Sequence, residues 1–442
     1  MTTIPRRNFL GSVAVTGTGL LLGAATEAMA QAAPAAKPLE LALIGFGSQG
    51  RNLADSAAQI PGVHVCALCD IWPYRLQYGA NRLKNYGQKA NVYANYREML
   101  DKEKGLDAVV IATPDFVHAE QAKACLAAGL HVYCETMMAD SLEAARSMVR
   151  AARRASRLLQ IGYQRRSHPA YRHVVEKLLS GGELLERIVQ VQTRWALGVS
   201  EPKGWPKSQT LPEALLSKHG YAHMRQFRNW TSYSKYGVGL AAGLMAHQID
   251  VVNWFLNGLP DSLLAAGGVD FYKSQETFDN LSLICQYKTP TGTVRACGQA
   301  LTDSRLDGIA NFEQFCGTSG TIRVSENPVW TAVYRDPNAD QWDEWVQKQL
   351  LVKTRRGPVR PPTSGDQVVQ ETGQVELYAL PPLLTQLPVR LHLENFFAAV
   401  RGKAELNCPA ETAFRSEVLV YRAVEAVKAR RAVDLAAEDF AV

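Results

Sequence analysis

Two successive sheets in an α/β chain, one parallel and the next larger and mainly antiparallel, are what the 442 residues predict. Three features carry this. From residue 38 onward, short apolar runs alternate with stretches of helical periodicity, the rhythm of repeated strand–helix–strand units. A glycine-rich turn, Gly45-Phe46-Gly47-Ser48-Gln49-Gly50, stands where the first such run meets the first helical stretch. After about Gln164 the runs lengthen and are joined by turns such as Thr289-Pro290-Thr291-Gly292, which marks a change of sheet type.

In order, strands are predicted at 39–45, 64–69, 108–112, 131–134 and 158–162, with helices at 48–59, 117–128 and 141–154. Continuous apolar strands with helices between them argue for a parallel sheet covered on both faces. Longer strands follow at 188–195, 263–271, 280–288, 292–300 and 321–324, with helices at 169–179 and 245–256. Residues 325–388 hold eight prolines from Pro328 to Pro388 and little periodicity, so an irregular wrapping segment is expected there. Helical patterns return at 392–401 and 416–431. The expected domains are 38–163, 164–390 and a C-terminal helical part, 391–442.

At 47% hydrophobic and 20% charged residues, the composition is that of a globular protein, not of a disordered or collagen-like chain. Lys and Arg number 48 against 42 Asp and Glu, a net +6 without a basic run, which gives no footprint for nucleic acid. Residues 1–30 differ from the rest. Arg6 and Arg7 precede a nearly uncharged stretch ending in Ala28-Met29-Ala30, and Arg6-Arg7-Asn8-Phe9-Leu10 resembles a twin-arginine export leader cut before Gln31. That stretch is short and glycine-interrupted for a bilayer span of about 20 residues, so a periplasmic or otherwise exported protein without a stable membrane anchor is expected. The eight cysteines are scattered, several of them in strand-like runs where a thiol packs as a small hydrophobe. Cys66 and Cys69 form a CxxC with no second pair at metal-site spacing, so no metal is expected.

The glycine turn carries the first chemistry. In a GxGxxG between strand and helix, Gly45 permits the tight turn, Gly47 lets the backbone approach a pyrophosphate, and Gly50 lets helix and strand pack. The N–H groups at the helix start then face the phosphates. Asp70, twenty residues past Gly50 at the end of the second strand, can accept both adenosine ribose hydroxyls. It would oppose a 2′-phosphate, so the expected cofactor is NAD rather than NADP.

Further motifs follow in order: Ala112-Thr113-Pro114-Asp115-Phe116-Val117-His118, then His131-Val132-Tyr133-Cys134-Glu135-Thr136-Met137, then Gln160-Ile161-Gly162-Tyr163-Gln164-Arg165-Arg166, and Ala246-His247-Gln248-Ile249-Asp250 on a later helix. With the glycine turn and Asp70, these resemble the Gfo/Idh/MocA oxidoreductases over nearly the whole chain after residue 38. The resemblance implies a Rossmann dinucleotide-binding domain and a C-terminal α+β domain with a large open sheet through which a homodimer or homotetramer assembles. It also implies hydride exchange with a sugar or polyol carbon, and a cofactor site holding Thr113, Pro114, His118, Glu135 and Gln164 in addition to residues 45–50 and Asp70. Two departures stand out. The family's Glu-Lys-Pro is here Glu135-Thr136-Met137, so its lysine is gone, and the Asp four residues before the family histidine is Gly243.

Oxidising an alcohol requires a base for the hydroxyl proton. His247 is the expected catalytic base, with Tyr163 as a helper; Arg165, Tyr221, His223, Arg225, Trp230 and Tyr236 are expected to touch a carbohydrate, whose C–H faces stack on aromatic rings. The sequence thus supports an exported NAD-dependent oxidoreductase with a tightly held cofactor, acting on a sugar, polyol or glycoside hydroxyl. Two alternatives remain open. One is a redox-neutral NAD-dependent glycoside hydrolase that oxidises, eliminates, hydrates and re-reduces, and the other is a cofactor-binding protein that has lost catalysis.

Overall fold

The structure, a computed structural model, describes residues 37–180, 184–198, 202–302, 311–354, 375–382 and 388–442. The expected leader, residues 1–30, lies outside the described residues.

The first sheet has six parallel strands, β1 (Leu39–Ile44), β2 (Val63–Cys69), β3 (Asn91–Tyr93), β4 (Ala108–Ile111), β5 (His131–Cys134) and β6 (Leu159–Ile161). Their order, β3-β2-β1-β4-β5-β6, is that of a doubly wound Rossmann sheet. Five helices connect them: α1 (Ser48–Ala58), α2 (Pro73–Lys84), α3 (Tyr96–Lys102), α4 (Asp115–Ala127) and α5 (Leu142–Ala155). The register positions the site. Ile44 pairs with both Cys69 and Ile111, Ile111 with Cys134, and Cys134 with Ile161, so five strands end level. Gly45, Asp70, Thr113, Thr136 and Tyr163 therefore leave the sheet along one carboxyl edge, where open α/β sheets bind ligands.

The chain continues through α6 (Pro169–His173), which widens into a π-helical turn at Val174–Leu179, then α7 (Glu213–Lys218), α8 (Met224–Arg228) and α9 (Leu240–Phe255). The second sheet is built from β7 (Ile188–Ala196), β8 (Ser262–Gly268), β9 (Asn280–Thr289), β10 (Gly292–Leu301), β11 (Asn311–Gly317), β12 (Gly320–Val324), β13 (Ala332–Arg335), β14 (Val352–Lys353), β15 (Glu376–Ala379) and β16 (Val433–Asp434). Their order is β14-β15-β13-β12-β11-β7-β10-β9-β8-β16, with β7 and β10 parallel and the other registered pairs antiparallel. A short helix, α10 (Asp343–Gln347), precedes β14, and α11 (Pro388–Val400) and α12 (Ala410–Ala429) follow β15.

These last two long helices tie the sheets together. α11 sends Leu393, Phe396 and Phe397 into the core that Leu41, Leu43 and Phe46 form on one face of the first sheet. Burying each such side chain is worth roughly 1.5–3 kcal/mol. On the other face α12 packs against both α5 and α9, joining a core that runs from Ile111 to Phe315.

The structure departs from the sequence expectations in several places. α2, β3, α3 and β11 were not foreseen; β3 is a three-residue strand with two exposed positions, too short to show a pattern. Segment 325–388 is not simply irregular, because its described parts add β13, β14, β15 and α10 to the second sheet's edge, where single residues alternate too briefly to register as strands. α9 begins at Leu240, five residues before the predicted start, since the glycine-rich run there is helical and buried. All eight cysteines are free thiols. Among the described residues no helix is long and apolar enough to cross a membrane, and no group of acidic, His and Cys side chains is placed to hold a metal ion.

Candidate active site

Gly45 has φ +91, and a Cβ there would come within 2.6 Å of the Ala112 carbonyl oxygen. One on Gly50 would lie 1.9 Å from the Gly45 carbonyl oxygen, so α1 can seat on the turn only with glycine there. Gly47 is the opposite case, with nothing within 4 Å of an added Cβ. It is also the N-cap of α1, where no side chain takes up the free N–H groups. An open face over uncapped helix N–H groups is what a pyrophosphate requires, so the residues present fit a dinucleotide. Phe46 is buried in the core, while its backbone N–H donates to Asp70 Oδ2 at 2.7 Å and that of Trp72 to Oδ1 at 2.8 Å. Burial raises the Asp70 carboxyl, and these two bonds together with Arg75 and Arg228 oppose that rise.

A cleft of about 790 Å³ runs from Gly45, Ser48 and Gln49 past Asp70 and Arg75 on one side and to Thr113, Glu135 and Thr136 on the other. Its far wall comes from residues 203–231. That wall is pinned to the first domain by an aromatic cluster: Trp72 and Phe227 lie 5.7 Å apart between ring centroids, Phe116 and Tyr221 5.8 Å, and Trp72 Nε1 donates to the Gln209 carbonyl at 2.7 Å.

Thr113 and Pro114 line the cleft, and Thr113 Oγ1 donates to Gln121 Oε1 at 2.7 Å. His118 is fully buried, with Nδ1 2.8 Å from the Met137 carbonyl oxygen and Nε2 2.7 Å from that of Thr113. It ties the β4–α4 turn to the segment after β5, and both ring nitrogens are spent on the protein itself. Glu135 accepts from Gln49 Nε2 at 2.9 Å and from the Tyr133 hydroxyl at 3.4 Å, and burial pushes its carboxyl up to about 7. Gln164 lies in the turn after β6, with its side-chain carbonyl oxygen buried and unpartnered.

Thr136 stands on the cleft wall with its Oγ1 3.3 Å from His247 Nε2. Thr136, at the position where the resemblance leads one to expect a lysine, therefore touches the histidine expected to act as base. His247 is half-buried between Tyr163 at 5.2 Å and Trp195 of β7 at 5.6 Å between ring centroids. Burial, reinforced by Arg165, pushes its imidazole down to about 3, so it is neutral at physiological pH. One turn earlier on α9, an added Cβ at Gly243 would meet nothing within 4 Å, so there is open space on the His247 face.

Several expected ligand-facing residues have other places. Tyr163 is buried, and its hydroxyl donates to Glu417 Oε1 of α12 at 3.4 Å, so it supports the His247 ring from below rather than facing the cleft. Arg165 spends its donors on Glu326 (2.9 Å), Glu313 (2.5 Å) and Asn311 (2.6 Å), and stacks over Trp195 at 4.4 Å. Arg166 pairs with both oxygens of Asp250. Tyr221 and Trp230 do line the cleft. Tyr236 is buried behind them with its hydroxyl donated to Gly220 and Gln226, while His223 caps α8 at the surface and Arg225 is exposed. Sequence reasoning missed Trp195, Glu417, Lys203 and Arg228, which carry no local motif. Arg75, five residues past Asp70, was within its reach.

Comparison with known proteins agrees with this architecture. A family model described as "Oxidoreductase family, NAD-binding Rossmann fold" matches residues 39–163, and "Oxidoreductase family, C-terminal alpha/beta domain" matches 214–435. The chain is 30% identical to 4-carboxy-2-hydroxymuconate-6-semialdehyde dehydrogenase of Sphingobium sp., over 41% of this chain and 55% of that protein. It is 33% identical to a glycosyl hydrolase family 109 protein of Streptomyces coelicolor, over 35% of this chain and 38% of that protein. The chain thus spans about half or less of the curated relatives it matches. In fold it is similar to the WlbA dehydrogenase from Bordetella pertussis, solved with NADH and UDP-GlcNAcA, with a TM-score of 0.63 at 19% identity over 90% of this chain and 99% of that one. With a level-ended Rossmann sheet, an open glycine cradle and matching models across both domains, the chain belongs to the Gfo/Idh/MocA oxidoreductase family and carries its NAD-binding Rossmann domain.

Proposed function

We propose that this protein is an exported NAD-dependent oxidoreductase that acts on a hydroxyl-bearing carbon of a sugar, polyol or glycoside and keeps its cofactor through turnover. The observation that carries the reading is the Thr136 hydroxyl beside His247 Nε2, on the wall of the cleft whose other end is the glycine cradle. When bound, the dinucleotide supplies a hydride acceptor and donor. The protein's own part is the proton. His247, kept neutral by burial, is in its proton-accepting form at neutral pH. The Thr136 hydroxyl, which stands on the cleft wall and both donates and accepts, can take the substrate's hydroxyl proton while it passes its own to His247 Nε2, 3.3 Å away. Tyr163 and Trp195 fix the imidazole plane. Tyr221 and Trp230 offer aromatic surface for a carbohydrate, and Gly243 offers room. Retention of the cofactor is supported by the aromatic wall at 203–231 that closes over the cleft.

A second reading, the redox-neutral glycoside hydrolase, is favoured by the missing lysine together with the similarity to a family 109 glycosyl hydrolase. One experiment separates the readings. Purified protein is analysed by mass spectrometry for released dinucleotide, then assayed against polyols and aryl glycosides with the nicotinamide absorbance and the aglycone followed together. Net reduced cofactor supports the dehydrogenase, and aglycone without absorbance change supports the hydrolase. Bound cofactor with neither signal across the panel refutes both and leaves a non-catalytic binding protein.

A further inference from the structure

A second cavity, of about 600 Å³, shares no lining residue with the cleft. It is bounded by the turn after β6, α6 with its π-helical turn, the end of α9, and α11 with the segment that follows it. The volume is that of a small-molecule site. Its walls are fixed from within the protein. The Asn407 side-chain amide donates to Ser167 Oγ at 2.7 Å and accepts from Arg172 Nη1 at 3.0 Å, while Asn395 Oδ1 takes the Asn407 backbone N–H at 2.8 Å. Arg172 also pairs with Glu176 at 2.5 Å. Arg166 is nine-tenths buried, with Nε and Nη2 held by Asp250 at 2.8 and 2.9 Å. Asp250 is itself enclosed, so the edge of the guanidinium that reaches the cavity is Nη1, which is neither sealed in nor hydrogen-bonded among the described residues. Trp254, half-buried, lines the same cavity with its ring centroid 5.2 Å from the Arg166 guanidinium carbon.

Charge decides the class of ligand. Asp250 balances Arg166 and Glu176 balances Arg172, which leaves Glu405, exposed and unpaired among the described residues, as the uncompensated charge on the wall. An anion would meet that carboxylate with no spare cation to hold it, and a cation would meet the guanidinium that already lies over the indole. A neutral ligand rich in hydroxyls has neither cost. Its C–H face covers the aromatic ring, and its hydroxyls accept from a fixed N–H and donate to a carboxylate. We propose that this cavity is a second carbohydrate site, in which a neutral sugar ring packs on Trp254 and shares its hydroxyls between Arg166 Nη1 and Glu405. The Arg166–Asp250 pair ties the turn that begins at Tyr163 to the helix that bears His247, which places the cavity one ion pair from that helix. The site does not depend on a dinucleotide in the cleft.

The test is binding, measured by titration calorimetry on the full-length protein with methyl β-D-glucopyranoside, methyl α-D-mannopyranoside, cellobiose and maltose, and with D-glucuronate as the charged control. At least one neutral sugar is expected to bind with a Kd on the order of millimolar, and more tightly than glucuronate. Trp254→Leu is expected to weaken that sugar by about tenfold or more, and Glu405→Ala, at an exposed position, by about fivefold. Trp230→Ala, which alters the cleft wall, is expected to leave this binding unchanged. Should Trp254→Leu fail to fold, Glu405→Ala decides alone. Losses that follow Trp230→Ala and spare the other two variants assign the sugar to the cleft and overturn the second site. So do the absence of binding by all four neutral sugars and tighter binding of glucuronate. None of these outcomes bears on dinucleotide binding, which is measured separately.

Discussion

At the glycine-loop end of the cleft, the groups that hold each other in place are near neighbours in the chain, as with Phe46 and Asp70, which are 24 positions apart. At the other end, Thr136 and His247 meet across 111 positions, and the ring behind His247 belongs to β7 of the second sheet. The first end is built by backbone: glycines without side chains, uncapped N–H groups and strand ends in register. The second is built by side chains brought together from three elements. A backbone site is robust to most substitutions except those that add atoms, whereas a side-chain site fails when a single functional group goes. His118 and His247 show the same contrast. Burial lowers both, yet His118 is locked between two carbonyl oxygens while His247 faces a hydroxyl at the cleft.

The largest expected effect breaks the side-chain end alone. His247→Ala should lower turnover by about 10²–10⁴-fold, the usual contribution of a general acid–base group, and leave dinucleotide affinity unchanged. Turnover together with equilibrium binding checks this, and unaltered turnover would refute the role given to His247. A second effect concerns the support beneath that end. Burial pushes the Glu417 carboxyl up to about 8 from an ordinary value of 4.5, so the folded state holds a proton that the unfolded chain releases. Its contribution is therefore fully favourable below about pH 4.5 and is lost as pH climbs towards about 8, on the order of a few kcal/mol. Thermal melts should show Glu417→Gln more stable than the parent at pH 8 and little different at pH 4.5.

The backbone end breaks differently. Gly50→Ala places a methyl group against the Gly45 carbonyl, so it should cost roughly 1–3 kcal/mol of stability and sharply reduce dinucleotide affinity, read by chemical denaturation and by fluorescence titration. Ordinary affinity in that variant would mean that the loop has room to shift. The smallest effect sharpens the other end. Thr136→Val removes one hydrogen bond worth about 1 kcal/mol, so turnover should fall about five- to tenfold, while Thr136→Ser should retain it. If valine and serine behave alike, the hydroxyl takes no part in the proton's path.

Much of the first sheet was legible, because continuous apolar runs such as 131–134 and the GxGxxG between strand and helix are local signals. β13 and β15 were not, since four-residue strands among prolines gain their identity only from the strands they pair with. The same holds within the site. Gly45, Gly47, Gly50 and Asp70 could be placed from spacing alone, whereas Arg165 read as a possible substrate contact until Glu313, Glu326 and Asn311 were found to consume its donors.

By itself the sequence determined the order of most strands and helices in the first domain, the glycine cradle and the presence of Thr136 and Gly243 where a lysine and an aspartate were expected, because each depends on residues adjacent in the chain or on its local period. Only the tertiary structure decided that Thr136 and His247 touch, that Tyr163 turns its hydroxyl to Glu417, and that Lys203 and Arg228 line the same cleft as Asp70. These are meetings between distant segments, and their energies depend on burial and on which charges remain unpaired once the two sheets have closed on one another.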